Sequence, residues 1–340
     1  MFEFINSMII AVPMIFFMSW IVSVASDKLG DVLHVLGIKL KIPSTVRGAT
    51  FDAIASSFPE FATAMIAVLI YKEFTDVGVP TIAGSGIFNV LLIPMASILA
   101  FKGVLALKVE KENVYRDMFF YLLSLIILGV SMYSGSFNYV TGIMLILVYV
   151  AYILFLHRQT KAHQAKLATR EEEEEEEEEE FEDMSYSKMI FWIVLTMAAV
   201  WVSIDGIIVS AGVVATFLSI PKFITSVIII AAATSIPDTL LSVKSAKRGD
   251  ADGAIANAVG SNIFDICICL GLPMIVGGAV IPVSFAQNAG VLAFLVISML
   301  ITAFILLKKT GVKKRDAGVM FLGYVAFLVY IIGIAFEWWV

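Results

Sequence analysis

Apolar runs long enough to cross a bilayer recur along the whole chain, and this leaves few folds open. A hydrocarbon core about 30 Å thick is spanned by roughly 20 apolar residues in helical form. The 340 residues contain ten such runs, at 4–26, 43–71, 79–101, 115–133, 138–157, 187–205, 220–243, 252–277, 287–307 and 316–337. They are continuous rather than alternating at period two, which argues against a transmembrane barrel. An all-α integral membrane fold of ten transmembrane helices is expected, since lipid leaves backbone groups no partners outside the helix. With 60% hydrophobic and only 15% charged residues, the composition excludes a globular domain with a single anchor. The first run lacks a preceding basic stretch and a small-residue cleavage site, so it reads as a retained helix and not a signal peptide.

The formal net charge of −6 hides a segregation. Glu171 to Glu180, with Glu182 and Asp183, supply 12 of the 29 acidic groups, leaving 23 basic against 17 acidic elsewhere. Residues 158–186 form an acidic linker that cannot bury enough apolar surface to order itself, so a solvated connector is expected. It divides a first five-helix repeat, 1–157, from a second, 187–340. Basic residues test this map. The segments 27–42, 102–116, 157–188, 244–251 and 308–315 hold 3, 4, 5, 3 and 5 of them, while the alternate loops hold only Lys72 and Lys222. The remaining one, Arg47, lies in the second span. The positive-inside rule then predicts a multi-pass cell-membrane protein with both termini extracellular and the acidic linker cytoplasmic.

The two halves match. Ala-Ser-Ser-Phe-Pro-Glu at 55–60 aligns with Ala-Thr-Ser-Ile-Pro-Asp at 233–238, an offset of 178 shared by Ile42-Pro43 with Ile220-Pro221 and by Asp27 with Asp205. Gly-Ser-Gly-Ile-Phe-Asn at 84–89 aligns with Gly-Ser-Asn-Ile-Phe-Asp at 260–265, offset by 176. Five spans per half is an odd number, so equivalent helices would run in opposite directions, as in an inverted repeat.

Glu60 and Asp238 lie deep in apolar spans, where a central carboxylate costs about 3 kcal/mol on insertion scales. A structural ion pair would explain them, but Arg47 is the sole basic candidate inside a span. Two acids in matching positions without matching bases favour a cation site. Ser56 and Ser57 stand four and three residues before Glu60, and Thr234 and Ser235 stand likewise before Asp238, so the hydroxyls share the carboxylate's helix face. Pro59 and Pro237 lack an N–H and free the carbonyls of Ala55 and Ala233, with kinks expected. Ser85 with Asn89, and Ser261 with Asp265, are again four apart; Gly84, Gly86 and Gly260 permit close helix approach. Carboxylate, hydroxyl and carbonyl oxygens are what calcium takes, six to eight at about 2.3–2.6 Å, and sodium accepts them too.

Other residues carry less. Asp52 either lines an access path or pairs with Arg47. Cys267 and Cys269 imply neither disulfide nor metal cluster and read as packing residues. His34, His157 and His163 fall at loops or span ends, and no nucleophile–base or metal–histidine set supports an enzyme.

On Gly48-Ala49-Thr50-Phe51, Ser56-Ser57-Phe58-Pro59-Glu60, Thr234-Ser235-Ile236-Pro237-Asp238 and Gly260-Ser261-Asn262-Ile263-Phe264-Asp265 with Gly271-Leu272-Pro273, the chain resembles the calcium/cation antiporter superfamily. It looks closest to the potassium-dependent sodium/calcium exchangers. The resemblance implies a midplane site of four ion positions. Glu60 and Asp238 would be the main calcium ligands. Ser57, Ser235, Asn89, Asp265, Ser85 and Ser261 would share the sodium positions, with Thr234 and Ser56 nearby and the carbonyls of Ala53 and Ala231 contributing. Asp265 matches a position associated with potassium dependence. Ala55, Ala233, Phe58 and Gly86 depart from the family pattern but leave the oxygen ligands in place. The implied activity is calcium–sodium antiport by alternating access, potassium being optional, with spans one and six sliding against the rest. The partners are then the ions and the bilayer; no cofactor, nucleic acid or obligate protein partner is implied. Calcium–proton exchange and a cation channel are the rivals.

Overall fold

The computed structural model describes residues 2–40, 42, 47–101, 111–164, 184–248, 251–278 and 280–336. Pro43 and the acidic run Glu171 to Glu180 lie outside the described residues, so neither the Ile42-Pro43 match nor the solvated linker is addressed by the fold.

The described chain is almost entirely helical: α1 (Met8–Lys39), α2 (Thr50–Tyr71), α3 (Phe74–Ala100), α4 (Lys111–Tyr133), α5 (Tyr139–Gln164), α6 (Tyr186–Leu218), α7 (Lys222–Thr234), α8 (Ile236–Lys247), α9 (Asn257–Val276), α10 (Phe285–Leu306) and α11 (Lys314–Ala335). A two-residue ribbon pairs β1 (Ser136–Phe137) antiparallel with β2 (Ile281–Pro282), joining the α4–α5 and α9–α10 turns. Among the described residues, nine helices are long and apolar enough to cross a bilayer. The count is ten if α7 and α8, bent by 42° at their junction, form one span.

Burial is inverted relative to a water-soluble protein. The surface carries Ile9, Phe16, Phe304 and Leu322, all more than 60% exposed, whereas Glu60, Asn89, Asp238 and Asp265 are completely buried. Apolar side chains outward and carboxylates inward is the arrangement hydrocarbon favours. The chain is a multi-pass membrane protein.

The two largest departures from the spans read in the sequence are at C-terminal ends. The first span was expected to end at residue 26 and the sixth at 205, but α1 runs on to Lys39 and α6 to Leu218. Asp27 and Asp205, at those ends, each have a partner on another helix. Lys244 Nζ donates to Asp27 at 2.6 Å and the Tyr71 hydroxyl to Asp205 at 2.6 Å. A carboxylate so paired does not oblige a helix to end.

Helices α1 and α6 pack along their length and antiparallel. Lys39 reaches the Met184 carbonyl, Lys28 lies over the Trp192 ring, and Met18 packs against Gly206. The α3 helix occupies the centre, touching α7, α8, α9, α10 and α11, while α2 packs between the α1–α6 pair and α9.

Candidate cation site

The site is built where α2, α3, the α7–α8 junction and α9 meet. Local sequence prepares each element. Pro59 and Pro237 remove the N–H that would bind the carbonyls of Ala55 and Ala233. The α2 helix continues through Pro59, so the kink expected there does not divide it. The second half does break. Ser235 leaves helical geometry at φ −81°, ψ 0°, and α8 starts again at Ile236. Short π-helical turns stand at matching places in the two halves, Gly48–Asp52 and Ser226–Ile230; another begins at Asp265, Asp265–Leu270, and the first half carries two more, Ala67–Tyr71 and Phe74–Gly78. Such turns shift side chains off the regular helical ladder and recur at functional sites.

All twelve residues singled out from the sequence are buried. The Ser85 hydroxyl donates to Glu60 Oε1 at 3.0 Å and lies 2.8 Å from Ser235 Oγ. The Asn89 amide reaches Asp238 Oδ2 at 3.3 Å and the hydroxyls of Ser85 and Ser261 at 3.4 Å each. Glu60 from the first half and Asp238 from the second are thus joined through Ser85 and Asn89 on the central helix. A further relation is crosswise. The Thr234 hydroxyl faces the Glu60 carboxylate and the Ser56 hydroxyl faces that of Asp238. Neither has the geometry of a direct hydrogen bond; Thr234 and Ser56 donate instead to the carbonyls of Ala231 and Ala53, at 3.1 and 3.5 Å. Those two carbonyls therefore already sit beside the site's hydroxyls.

Oxygens here are under-satisfied. Ser57 Oγ, Glu60 Oε2, Asn89 Oδ1, Asp238 Oδ1 and Asp265 Oδ2 are all buried without a protein hydrogen-bond partner. Each such group costs about 1–3 kcal/mol, so five in one cluster demand compensation. No base supplies it. The ion pairs among the described residues join Asp52 to His34, Asp117 to Arg116, Glu73 to Lys222, Asp27 to Lys244 and Asp316 to Lys308, and none involves Glu60, Asp238 or Asp265. A cation is the natural complement. Among the described residues no three His, Cys, Asp or Glu side chains converge as a metal cluster. An ion here would take most of its ligands from hydroxyl, amide and carbonyl oxygens, which suits hard cations.

The glycines divide. A Cβ on Gly84 would run into the Val227 carbonyl and the Ala231 side chain, so α3 reaches α7 only because residue 84 is glycine. On Gly86 it would crowd Leu295 at 2.9 Å, whereas on Gly260 it would meet only Tyr152 Oη, at an ordinary 3.7 Å. Gly260 is not required for close approach. Phe58 turns away from the oxygens into the apolar cluster shared with α1 and α6, beside Phe61. Asp52 lies 3.9 Å from His34 Nδ1, a partner the sequence reading had placed at a span end.

Three supporting residues escaped the sequence reading. Asn257 donates to Ser242 Oγ at 2.9 Å and to the Asp238 carbonyl at 3.3 Å. Asn262 holds the Gly86 carbonyl at 2.9 Å, and Cys269 lies against Asp265. Asn257 was findable, one helical turn before Ser261 on the same face. Asn262 and Gly86 occupy equivalent positions of the two motifs, which therefore touch each other.

The model of the sodium/calcium exchanger protein family matches residues 10–157 and 188–333. The chain belongs to that family. Its relatives include the inner membrane protein YrbG of Escherichia coli (strain K12), 26% identical over 311 residues, covering 90% of this chain and 91% of that protein. Sodium/potassium/calcium exchanger 3 of Rattus norvegicus is 37% identical over 126 residues, which is 37% of this chain and 20% of that protein. Among solved structures, the sodium-calcium exchanger NCX_Mj superposes with a TM-score of 0.63 at 20% identity, over 96% of this chain and 98% of that one. The H+/Ca2+ exchanger CAX superposes at 0.70 with 13% identity, over 96% and 88%. These likenesses establish an exchanger family and a shared fold.

Proposed function

We propose that this exchanger moves calcium out of one compartment in return for sodium, with a single buried site alternately exposed to either side. One observation carries the reading: carboxylates from the two halves are joined through Ser85 and Asn89 in a cluster of unsatisfied oxygens that holds no base. Calcium would lie between Glu60 and Asp238. Sodium ions would compete for the same oxygens together with Ser56, Ser57, Ser85, Asn89, Thr234, Ser235, Ser261, Asp265 and the carbonyls of Ala53 and Ala231. Mutual exclusion then couples the two fluxes.

The neutral oxygens serve calcium whichever ion drives the exchange; the reading of sodium as that ion rests on the resemblance of the site motifs to sodium/calcium exchangers. Ten spans as two inverted five-helix repeats fit the matching π-helical turns at 48–52 and 226–230, 178 residues apart, and the contact between equivalent residues Gly86 and Asn262. Orientation follows the basic residues, with the acidic linker in the cytoplasm. A cavity of about 470 Å³ lined by Tyr71, Glu73, Val77, Ile208, Lys222 and Ile230 then lies on the extracellular side.

The test is calcium-45 uptake into proteoliposomes under imposed sodium, potassium or proton gradients. Sodium-driven uptake, abolished in Glu60→Gln, is expected. Uptake driven by protons alone would reassign the coupling ion, and undiminished uptake by Glu60→Gln would remove the site.

A further inference from the structure

Cys269 stands one turn beyond Asp265 in the Asp265–Leu270 turn and is completely buried. Its Sγ is 3.8 Å from Asp265 Oδ1 and 3.7 Å from the Ser57 carbonyl of α2. A thiol carries one proton and donates weakly, so at any moment one of these two oxygens gains nothing from it. A weak hydrogen bond therefore accounts for half the contact. Two more oxygens gather at the same place. Ser57 Oγ and Asp265 Oδ2 are fully buried without a partner, and the Ser57 hydroxyl faces the Asp265 carboxylate.

The spacing suits a metal ion. A thiophilic ion such as zinc holds sulfur at about 2.3 Å and oxygen at about 2.0–2.2 Å, which at a tetrahedral angle sets ligand sulfur and oxygen about 3.6 Å apart. The separations of 3.7 and 3.8 Å are close to that value. We infer that Cys269 Sγ, the Asp265 carboxylate and the Ser57 carbonyl form a subsite for a thiophilic divalent cation at the edge of the calcium site. The inference rests on the reading of Asp265 as a member of that site.

Binding makes one sulfur–metal bond and releases the thiol proton to water; no oxidant is involved. Calcium, a hard ion, gains nothing from sulfur, while cadmium and zinc do. The subsite therefore gives these ions a hold on the transporter that an all-oxygen cage would not, and makes them tight competitors of calcium.

The test titrates the purified full chain in nanodiscs with cadmium alone and reads the ultraviolet thiolate-to-cadmium absorption. The two cysteines of the chain, Cys267 and Cys269, are both free and buried, so Cys267→Ser leaves a single thiol in place. The band is expected in the parent and in Cys267→Ser. It should vanish in Cys269→Ser, with cadmium affinity down about tenfold or more, since even indirect partners of a metal carry that much. No band in Cys267→Ser would overturn the inference, whatever the folding of Cys269→Ser. Added calcium should displace the band. A band on Cys269 indifferent to calcium would keep the cadmium subsite but separate it from the calcium site. Calcium transport without any band would retain the transport reading and dismiss the subsite.

Discussion

Asp238 is held under opposing demands. It is completely buried; Asn89 donates to its Oδ2, while its Oδ1 has no protein partner. A divalent cation removes the conflict, so the ion should contribute to stability as well as occupy the path. A ligand at 100 times its Kd stabilises the folded state by about 2.7 kcal/mol. We therefore predict that calcium raises the unfolding temperature of the parent chain by several degrees over chelator. Asp238→Asn should lose that increment yet unfold at a higher temperature than the parent in chelator, because a buried charge next to another is gone. Thermal unfolding in detergent measures both; an unchanged calcium increment would free Asp238 of its role. Ser85→Ala removes the hydroxyl shared by Glu60 and Ser235. A loss of about 1–3 kcal/mol is expected for such a buried group, read as a roughly tenfold rise in the calcium concentration giving half-maximal uptake. That these oxygens gather in one buried cluster was legible, because a carboxylate in an apolar run is costly and helical spacing marks the hydroxyls on its face. The crosswise facing of Thr234 to Glu60 and Ser56 to Asp238 was not legible. Spacing says which residues share a face, never which face meets the other half of the chain.

Between elements, the decisive approach is that of α3 to α7 at Gly84. Alanine there would place a methyl group against the Val227 carbonyl, and overpacking of this kind costs about 1–3 kcal/mol. Backbone cannot swing aside as a side chain can, so Gly84→Ala should lower the unfolding temperature and push Ser85 away from Ser235, with transport lost. Gly260→Ala meets only an ordinary contact and should leave the unfolding temperature within about a degree of the parent, since changes without a named clash fall within about 0.5 kcal/mol. Equal damage from the two would refute the distinction. The repeated motifs made both glycines look alike in sequence; only the neighbour each one faces separates them. The prolines teach the same lesson. Pro59 and Pro237 remove the same donor, yet α2 continues and the second half bends by 42° at Ser235. The motif determines which carbonyl is freed, and the surrounding helices determine whether the axis turns. Asp27 and Asp205 show the converse. The spans were bounded at them, yet both are helix interiors, and Lys244 and Tyr71 reach them from elsewhere.

Those two contacts matter most for the molecule as a whole. Each ties one member of the α1–α6 pair to a helix from the opposite half: α1 to α8 through Asp27–Lys244, and α6 to α2 through Asp205–Tyr71. Since Gly206 packs at the level of Met18, nine residues before Asp27, the ties are separated by about 13 Å along the pair at 1.5 Å per residue. If the pair slides against the core, it must strain one tie before the other, and the ties would then set how readily each side opens. They are unequal. Asp27 and Lys244 are both more than half exposed, and such pairs contribute about 0–1 kcal/mol. The Tyr71 hydroxyl donates to a carboxylate in a part-buried position, and hydrogen bonds to charged groups contribute about 1.5–3 kcal/mol before allowance for its partial exposure. Tyr71 also lines the cavity of about 470 Å³ that reaches Ile230. Tyr71→Phe should therefore change the calcium concentration for half-maximal transport severalfold when calcium is supplied from the cavity side. Asp27→Asn should change it by no more than about twofold, and from the opposite side. Transport measured in proteoliposomes sorted by orientation distinguishes the sides. If both variants acted equally from both sides, the sliding of α1 and α6 would have to give way to a different moving part, for the ties would then be measuring stability and not exposure.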